Sequence, residues 1–355
     1  MVLWTKLLSA NLNYSLIHSS IQKIASLVYN IANPKMSTER NIGIYAPGQN
    51  ARENFGNYGI DLQAPEIRRL FEAASEISGE NIFSFLEEDP EYKLYLSRYA
   101  QVFVLTTSIA YWQMIFEKLQ QDLETPQIII AGHSLGEYTA LVIVQSLDFE
   151  QATKLVNLRG ILLDEESGKH PQTMLVINGQ SLAEVEEICS ESNAEVANEN
   201  SDEQFVIAGL VESIKDAEEL IKKCYPQRNT KTIRLPIRVG SHCSLEKGPA
   251  QEMARQLEIE EIKDPKFPFI ANATGDYVKT AQDVKTHLID QLTNRVFWRQ
   301  TIRKMFSFGV RDFYEIGPQN ILTKLTQRIA KRDGLESEVS TLSTKQILQQ
   351  LKSET

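Results

Sequence analysis

Hydrophobic and polar positions alternate between two patterns over the first half of the chain, one typical of strands and one typical of helices. Short apolar, β-rich runs are followed by segments with helical spacing, the runs at residues 41–47 and 128–131 and the helical segments at 64–78, 82–88, 92–119, 137–144 and 149–166. Pro47 and Gly48 end the first run with a loop signal. Strands separated by helices are typical of an α/β fold with a parallel sheet, and we predict that class.

The order of the predicted elements changes between residues 172 and 236. There the pattern predicts strand, helix, strand, strand, helix and strand, at 173–177, 181–192, 195–198, 204–208, 210–224 and 230–235. This βαββαβ order indicates a ferredoxin-like unit. Helices and strands then alternate again. The predicted helices are at 249–257, 281–292, 298–308 and 321–330, and the predicted strands at 267–271 and 312–316. We therefore predict a large α/β domain, a small inserted subdomain and a C-terminal tail, at residues 41–171 with 237–345, 172–236 and 346–355.

The first 40 residues differ from the rest of the chain. Residues 1–35 contain lysines but no aspartate or glutamate, and polar residues interrupt their apolar stretches too often for a membrane span. An acid-poor, serine-rich leader is typical of a transit peptide, but this one lacks the usual arginines. We favour one of two other interpretations: a start codon set too early, with Met36 as the true start, or an amphipathic extension. We expect residues 1–40 to lie outside the core fold.

Composition is that of an ordinary globular protein. The chain has 355 residues, of which 42% are hydrophobic and 24% charged, and its formal net charge of −10 argues against general nucleic-acid binding. Its three cysteines have no metal-ligand spacing, so we expect neither a disulfide framework nor a bound metal. We expect a cytoplasmic protein without a membrane-spanning segment.

The apolar run at 128–131 leads into Gly132-His-Ser-Leu-Gly, after which the pattern turns helical. Glycines at both ends of this motif permit a tight turn from strand to helix, and such a turn presents the serine at the strand end. The start of the following helix offers free N–H groups and a positive dipole end, which suit an oxyanion beside the serine. We interpret Ser134 as a nucleophile.

A serine nucleophile needs a base, and histidine has the matching pKa. Three of the five histidines are expected to be structural or exposed, because they occur in the leader, in a loop and in an amphipathic helix: His18, His170 and His287. His133 is adjacent to Ser134, so its side chain is expected to point away from the serine hydroxyl. His242 follows the predicted insert, where the chain re-enters the large domain, and it is the candidate base.

Several short motifs stand in an order that resembles one family, the malonyl-CoA:acyl-carrier-protein transacylases and the related acyltransferase domains of polyketide synthases. The similarity covers residues 41–331 and rests on Ala46-Pro-Gly-Gln, Gly132-His-Ser-Leu-Gly-Glu-Tyr, Leu158-Arg-Gly, Ala197-Asn-Glu-Asn-Ser, Phe205-Val-Ile-Ala-Gly, Ser241-His-Cys-Ser-Leu and Tyr314-Glu-Ile-Gly-Pro-Gln-Asn-Ile-Leu. The resemblance implies an α/β-hydrolase-like domain with a ferredoxin-like insert. It also implies acyl transfer from coenzyme A to a carrier protein, with no cofactor besides the thioester substrate.

The resemblance assigns roles to individual residues. Ser134 attacks the thioester and becomes acylated, while His242 acts first as base and then as acid, oriented by a main-chain carbonyl, that of Asn272. The backbone N–H groups of two residues form the oxyanion hole: Gln49 and Leu135. Arg159 binds the free carboxylate of malonate. Three polar residues are expected to line the acyl pocket: Gln101, His133 and Asn200.

The residue type at position 159 favours a malonyl substrate. A guanidinium is always charged and can pair with a carboxylate through two hydrogen bonds, whereas a neutral acetyl group could not offset its burial. The alternative is a structural arginine in an ion pair with Asp164 or Glu165, its helical neighbours.

The residues leave three other functions open. These are an acyltransferase for a different acyl group, a hydrolase that removes acyl groups from carrier proteins, and a non-catalytic interaction module. Arg159 argues against a hydrolase for neutral acyl chains, and the pair Ser134 and His242 argues against a decayed site. We predict transfer of malonyl from malonyl-CoA to an acyl carrier protein, in fatty-acid or polyketide synthesis.

Carrier proteins are usually acidic and coenzyme A carries phosphates, so an enzyme of this charge needs a local basic face. Two clusters offer one: Arg295, Arg299, Arg303 and Lys304, and, further along, Lys324, Arg328, Lys331 and Arg332. Helical spacing predicts that the arginines of the first cluster share one helix face. We expect the acyl carrier protein to dock on one of the clusters, with a merely solvated helix face as the alternative.

Overall fold

The computed structural model describes residues 41–49, 59–87, 93–118, 128–225 and 230–353. The leader predicted at residues 1–40 lies outside this described part of the chain. Within it, no helix combines the length and the apolar character that crossing a membrane requires.

Strands and helices alternate up to residue 169. In order they are β1 (Asn41–Ala46), α1 (Pro65–Ser78), two short 3₁₀ helices (Ile82–Leu86 and Lys93–Tyr95), α2 (Ser97–Lys118), β2 (Ile128–Gly132), α3 (Gly136–Ile143) and α4 (Phe149–Lys169). Then follow β3 (Gln172–Asn178), α5 (Leu182–Ser192), β4 (Glu195–Glu199), β5 (Gln204–Leu210), α6 (Val211–Cys224) and β6 (Lys231–Arg234). The remaining elements are a 3₁₀ turn (Ser244–Glu246), α7 (Lys247–Ile259), β7 (Phe269–Ile270), β8 (Tyr277–Val278), α8 (Ala281–Thr293), α9 (Trp298–Ser307), β9 (Val310–Glu315), α10 (Ile321–Arg332), β10 (Ser340–Ser343) and α11 (Thr344–Ser353).

The larger sheet has the strand order β10–β9–β1–β2–β7–β8. Neighbouring strands from β10 to β7 run parallel, while β8 pairs antiparallel with β7. The predicted α/β class is therefore confirmed, with a mixed sheet. Ala46 and Gly132, the last residues of β1 and β2, are register partners, so the loops after these two central strands begin side by side. In parallel sheets, the edge formed by these carboxyl ends is where sites are commonly built.

Helices cover both faces of the larger sheet, which explains the nearly continuous burial of its central strands. The helix α4, which carries Arg159, starts with a capping box: the Asp148 side chain accepts from the Gln151 N–H and the Gln151 side chain accepts from the Asp148 N–H. Its inner face packs on α2 and buries Leu155 and Leu163 in the main core. Arg159 is thereby held on the buried side of a long, well-anchored helix.

The second sheet is antiparallel and has the order β4–β5–β3–β6. The helices α5 and α6 cover one face, where their apolar side chains enclose a core that includes Leu175 and Phe205. The opposite face contributes Met174 and Val206 to a small cluster with Cys243, a neighbour of His242. The second sheet therefore turns an apolar surface toward the segment that carries the candidate base.

The C-terminal tail predicted at residues 346–355 is wrong for the described residues. β10 joins the larger sheet beside β9, and α11 follows it directly. Ile347, Leu348 and Leu351 of α11 are buried in the main core. The apolar spacing of this short helix places three large side chains on one face, which explains why it packs rather than remaining a tail.

Candidate active site

The turn between β2 and α3 is as tight as the motif predicts. A Cβ at Gly132 would lie 2.0 Å from the Gly136 backbone, and a Cβ at Gly136 would lie 2.1 Å from the Ala46 carbonyl oxygen. Neither position can hold a side chain without moving the backbone. Ser134 has φ 52°, in the left-handed region that non-glycine residues seldom occupy. Such strain persists where the surroundings fix the backbone, and it is concentrated at functional sites.

His242 lies directly against the serine. Its Nε2 is 2.7 Å from Ser134 Oγ, and its Nδ1 is 2.5 Å from the carbonyl oxygen of Gln291. Because a carbonyl oxygen only accepts, the Nδ1 side carries the proton and Nε2 is left free to accept the serine proton. His242 itself has φ 66°, so both partners of the pair are held in the left-handed region.

The expectation that the Asn272 carbonyl orients His242 is wrong. That carbonyl accepts a hydrogen bond from the Phe297 N–H at 3.0 Å. The end of α8 passes beside the imidazole and presents the Gln291 carbonyl instead. Asn272 acts on the serine turn through its side chain: Oδ1 accepts from the Ser134 N–H at 2.6 Å, and Nδ2 donates to the Gly132 carbonyl.

Burial sets the electrostatics of the base. It lowers the pKa of His242 to about 3, and the positive charge of Arg159 acts in the same direction, against the hydrogen bond to Gln291. The imidazole is therefore neutral near pH 7, as a general base must be before it takes a proton.

A cavity of about 310 Å³ opens over Ser134. It brings together six of the predicted site residues: Gln49, His133, Ser134, Arg159, Asn200 and His242. Apolar side chains of the second sheet and of α10 form the rest of its wall, among them Met174, Val206 and Leu322. Gln101 does not line the cavity; its Nε2 donates to Gln49 Oε1 at 3.2 Å, behind the wall. The polar groups thus converge at one end of a largely apolar chamber, as in most small-molecule sites.

One of the two predicted oxyanion donors, Gln49, lines this chamber, and the other, Leu135, directly follows Ser134. Within the described chain, the backbone N–H groups of Gln49 and Leu135 donate no hydrogen bond to another group. Leu135 precedes the first turn of α3, where backbone N–H groups have no intrahelical acceptor. Both donors are therefore available to a ligand atom beside Ser134.

Arg159 is 2% exposed and lines the cavity. Its Nη2 donates to Gln291 Oε1 at 3.3 Å. The alternative of a structural ion pair is wrong: Asp164 accepts instead from the Ser97 N–H and from Arg98, and Glu165 is exposed to solvent. No described carboxylate lies within ion-pair distance of the guanidinium. A cation held this way has hydrogen-bonding capacity left for an anionic ligand.

Two further residues, Glu137 and Gln291, connect these groups and were not predicted from the sequence. Glu137, 1% exposed, accepts from the Asn272 N–H at 2.8 Å and from the Gln291 side-chain amide. Burial is the main cause that raises the pKa of Glu137 to about 7. Gln291 therefore touches three site groups, with its carbonyl on His242 and its side chain between Arg159 and Glu137. Glu137 lies in the serine motif, but no local signal identified Gln291.

His133 points away from the serine, as expected. Its Nε2 lies 2.9 Å from Asn200 Oδ1, and its ring packs edge-on against Trp298. Burial lowers the pKa of His133. This residue therefore links the serine turn to the strand ends of the second sheet.

The first basic cluster does not form a free basic face. Each of its four cations is paired with carboxylates, namely Arg295 with Glu186 and Glu199, Arg299 with Glu199 and Asp202, Arg303 with Asp202 and Asp333, and Lys304 with Asp276. The shared helix face is also wrong for Arg295, because α9 begins only at Trp298. Carrier docking on this cluster stays a prediction that the structure does not support.

The second cluster is different. Lys324, Arg328, Lys331 and Arg332 are all exposed on α10, and none has a carboxylate within ion-pair distance among the described residues. The first turns of the same helix line the cavity through Ile321, Leu322 and Leu325. This helix therefore presents free cations beside the chamber that holds Ser134. Among the described residues, no three His, Cys, Asp or Glu side chains lie close enough together to bind a metal ion.

Comparison with known proteins finds one family over most of the chain. Residues 63–354 match the model of a family described as the acyl transferase domain. A malonyl CoA-acyl carrier protein transacylase from Bacillus subtilis is 34% identical over 298 residues, covering 82% of this chain and 91% of that protein. The solved transacylase of the same name from Coxiella burnetii has a TM-score of 0.79 at 29% identity, covering 90% of this chain and 98% of that chain. A type II polyketide synthase acyl-carrier protein in complex with its malonyl-transacylase gives 0.78 at 30% identity, with coverage of 88% and 99%. The chain belongs to the acyl transferase family, among the malonyl-CoA:acyl-carrier-protein transacylases.

Proposed function

We propose that this enzyme transfers malonyl from malonyl-CoA to the phosphopantetheine thiol of an acyl carrier protein. The observation that carries the proposal is one chamber holding a Ser134–His242 contact of 2.7 Å and the buried guanidinium of Arg159. The relatives named above support the same activity, in fatty-acid or polyketide synthesis.

The first half-reaction forms an ester on the serine. His242 Nε2 takes the Oγ proton while Oγ attacks the thioester carbonyl carbon, and the resulting oxyanion accepts from the N–H groups of Gln49 and Leu135. The carbon–sulfur bond then breaks, and coenzyme A leaves as the thiol with the proton from His242. In the second half-reaction the carrier thiol gives its proton to His242 and its sulfur attacks the ester carbon. The carbon–oxygen bond then breaks, and Ser134 Oγ takes the proton from His242.

Arg159 selects the acyl group in this proposal. Its guanidinium faces the chamber with unused donors, so a carboxylate at the far end of the acyl group can pair with it. An acetyl group would leave the buried cation without an anion. The reaction as written needs no cofactor besides the thioester, and a cytoplasmic location stays a prediction.

Carrier docking is best assigned to the exposed cations of α10. A carrier seated there would hold its prosthetic arm close to the residues of α10 that line the chamber. The double reversal Lys324→Glu with Arg328→Glu should raise KM for the carrier about tenfold and leave acylation by malonyl-CoA unchanged. The matched control reverses Lys222 and Lys223, two exposed lysines of α6. Equal effects of the two reversals on the carrier KM would count against docking on α10.

The two sheets also support a more specific description of the fold. The second sheet, with its βαββαβ element order and its strand order, fits a ferredoxin-like subdomain at residues 172–236. The strand–turn–helix at Ser134 fits an α/β-hydrolase-like large domain. We propose this division, with residues 41–171 and 237–345 in the large domain and α11 added to it.

The decisive experiment is intact-protein mass spectrometry after brief incubation with malonyl-, methylmalonyl- or acetyl-CoA. A malonyl adduct that survives in water and is discharged by a carrier would support the transferase, whereas rapid loss in water would indicate a hydrolase. Ser134→Ala should abolish the adduct, and an adduct that persists would identify a different nucleophile. Arg159→Ala should weaken malonyl loading and spare or improve acetyl loading; equal loss of both would make the arginine structural.

A further inference from the structure

A buried carboxyl group next to the site has no role in the mechanism above. Glu246 closes the 3₁₀ turn that follows His242 and has 0% of its surface exposed. Neither of its carboxylate oxygens has a hydrogen-bond partner among the described residues. Leaving a buried carboxylate unpaired is costly, so such a group calls for an explanation.

Arg159 is the opposite charge that acts on Glu246. The two groups interact electrostatically, since Arg159 lowers the pKa of Glu246 and Glu246 raises that of Arg159. The Nε of Arg159 is itself buried without an acceptor. Arg159 lines the chamber, whereas Glu246 is fully buried and does not line it. The cation therefore interacts with a built-in buried carboxyl and also borders the space where an acyl carboxylate would bind.

Other groups around Glu246 weaken its ionisation. Burial is the main cause that raises the pKa of Glu246 to about 8, Arg159 opposes it, and the carboxylate of Glu166 on α4 acts with burial. The neighbouring Cys243 thiol is also buried, and burial holds its pKa at about 12, so it stays neutral. Near pH 8 a small electrostatic change is then enough to add or remove the Glu246 proton.

We propose that Glu246 is an internal counter-charge to Arg159 that takes up a proton when a carboxylate-bearing acyl group binds, so that malonyl binding is linked to proton uptake. This inference rests on the proposed function, because the ligand it concerns is the malonyl carboxylate. With the chamber empty and the pH above 8, ionised Glu246 offsets the charge of the guanidinium. When the malonyl carboxylate pairs with Arg159, a second negative charge beside Glu246 favours its protonated form. The proton comes from solvent, and no covalent bond besides the carboxyl O–H changes.

The sign of the pH dependence follows from this linkage. Below pH 7 Glu246 is already protonated, so binding takes up almost no proton and malonyl-CoA meets an unopposed Arg159. Above pH 8 the ionised carboxylate competes with the ligand, so affinity falls as pH rises. For a pKa near 8, the uptake is about 0.1 proton at pH 7.0 and about 0.8 proton at pH 8.5, with binding about fourfold weaker at the higher pH.

The test is isothermal titration calorimetry of malonyl-CoA into the full-length Ser134→Ala enzyme, which binds without turnover. Titrations in two buffers of different ionisation enthalpy, at pH 7.0 and 8.5, give both the proton uptake and Kd. The added variant Glu246→Gln keeps the size of the protonated side chain, so it should remove the uptake at pH 8.5 and make Kd equal at the two pH values. The control Glu166→Gln, at a carboxylate paired with Lys169, should keep most of the uptake.

The outcomes separate this inference from the proposed function. Malonyl-CoA binding without proton uptake at pH 8.5, or uptake that persists in Glu246→Gln, would overturn the role of Glu246 and leave the transferase intact. The parent enzyme alone decides the first of these points, so the test does not depend on the variant folding. Absence of any malonyl-CoA binding would overturn the proposed function and this inference together.

Discussion

At the scale of single residues, the site is one continuous set of buried hydrogen bonds. Gln291 is its centre, because its carbonyl orients His242 while its side chain joins Arg159 to Glu137. The catalytic base and the acyl-selecting cation therefore depend on the same short segment of α8. In a low-dielectric interior, the hydrogen bonds of such a network favour a single geometry of the groups that they join.

Truncation of the Gln291 side chain should affect acyl binding more than catalysis. Gln291→Ala keeps the backbone carbonyl on His242 but removes the hydrogen bond to Arg159, so the guanidinium loses its fixed orientation. We expect KM for malonyl-CoA to rise about tenfold, equivalent to about 1.4 kcal/mol, with a smaller change in kcat. Steady-state kinetics measure both, with Gln282→Ala on the exposed face of the same helix as control. A fall in kcat alone would show that the amide acts mainly through His242.

The buried base predicts an unusual pH profile. Because burial lowers the pKa of His242 to about 3, its neutral form should dominate far below the usual histidine range. Single-turnover acylation by malonyl-CoA should therefore remain within about twofold between pH 7 and pH 5, where an ordinary histidine base would lose most of its activity. A loss centred near pH 6.5 would mean that the imidazole is solvated in the working enzyme.

The same histidine should destabilise the fold in acid. The folded state binds its proton less readily than the unfolded chain, so stability falls as pH drops below about 6.5 and continues to fall down to about pH 3. His242→Asn should therefore flatten part of the decline in unfolding free energy between pH 6 and pH 4, measured by urea denaturation. An unchanged slope would assign the acid sensitivity to other groups.

The sequence allows prediction of those catalytic groups that a short local motif identifies. Ser134 stands in a turn that needs glycines on both sides, and His242 was the one histidine left at a suitable place in the chain order. The orienting carbonyl could not be predicted, because every residue has one and only the path of α8 decides which one reaches the imidazole. Glu246 was missed for a similar reason, since its burial depends on packing between distant segments.

At the scale of elements, periodicity predicted the helices and strands wherever an apolar face is long. Strand β8, of two residues, and β10, of four, were missed because such short runs show no periodicity. The helix α11 was taken for a tail, since its ten residues contain only three large buried apolar side chains. Its place in the core comes from β10, which brings the chain back beside β9.

Packing of α11 can be tested with one substitution. Leu348 is 4% exposed within the main core, so Leu348→Ala should lower the free energy of unfolding by about 2–4 kcal/mol. The adjacent Gln349→Ala, at an exposed position, should change it by less than about 0.5 kcal/mol. Thermal and urea denaturation of both variants give the comparison. Equal free energies of unfolding for the two variants would show that α11 contributes little to the stability of the core.

At the scale of the whole molecule, the two sheets are joined next to the site. Val296 bridges to β4 through backbone hydrogen bonds with Ala197 and Glu199, at 2.8 and 2.9 Å. The ion pairs of Arg295, Arg299 and Arg303 reinforce the same junction from the side of α9. Since Asn200 lies between two of the paired carboxylates and contacts His133, this junction also sets the geometry of the chamber.

Arg299 separates a structural role of this cluster from a docking role. Its side chain, 21% exposed, pairs with Glu199 at 2.7 Å and Asp202 at 3.4 Å, on both sides of Asn200. Arg299→Ala should lower the free energy of unfolding by about 1–2 kcal/mol, because the buried Glu199 loses one of its two partners. Acylation by malonyl-CoA should also slow several-fold as Asn200 and His133 shift.

The control is Lys222→Ala, at an exposed lysine with no ion pair among the described residues. It should change neither stability nor acylation. If Arg299→Ala left both quantities unchanged and raised only KM for the carrier, the cluster would be the docking face predicted from sequence. If the free energy of unfolding and the acylation rate fall together, the arginines of α9 hold the two sheets in place around the chamber. The unpaired cations of α10 would then remain as the docking surface for the carrier.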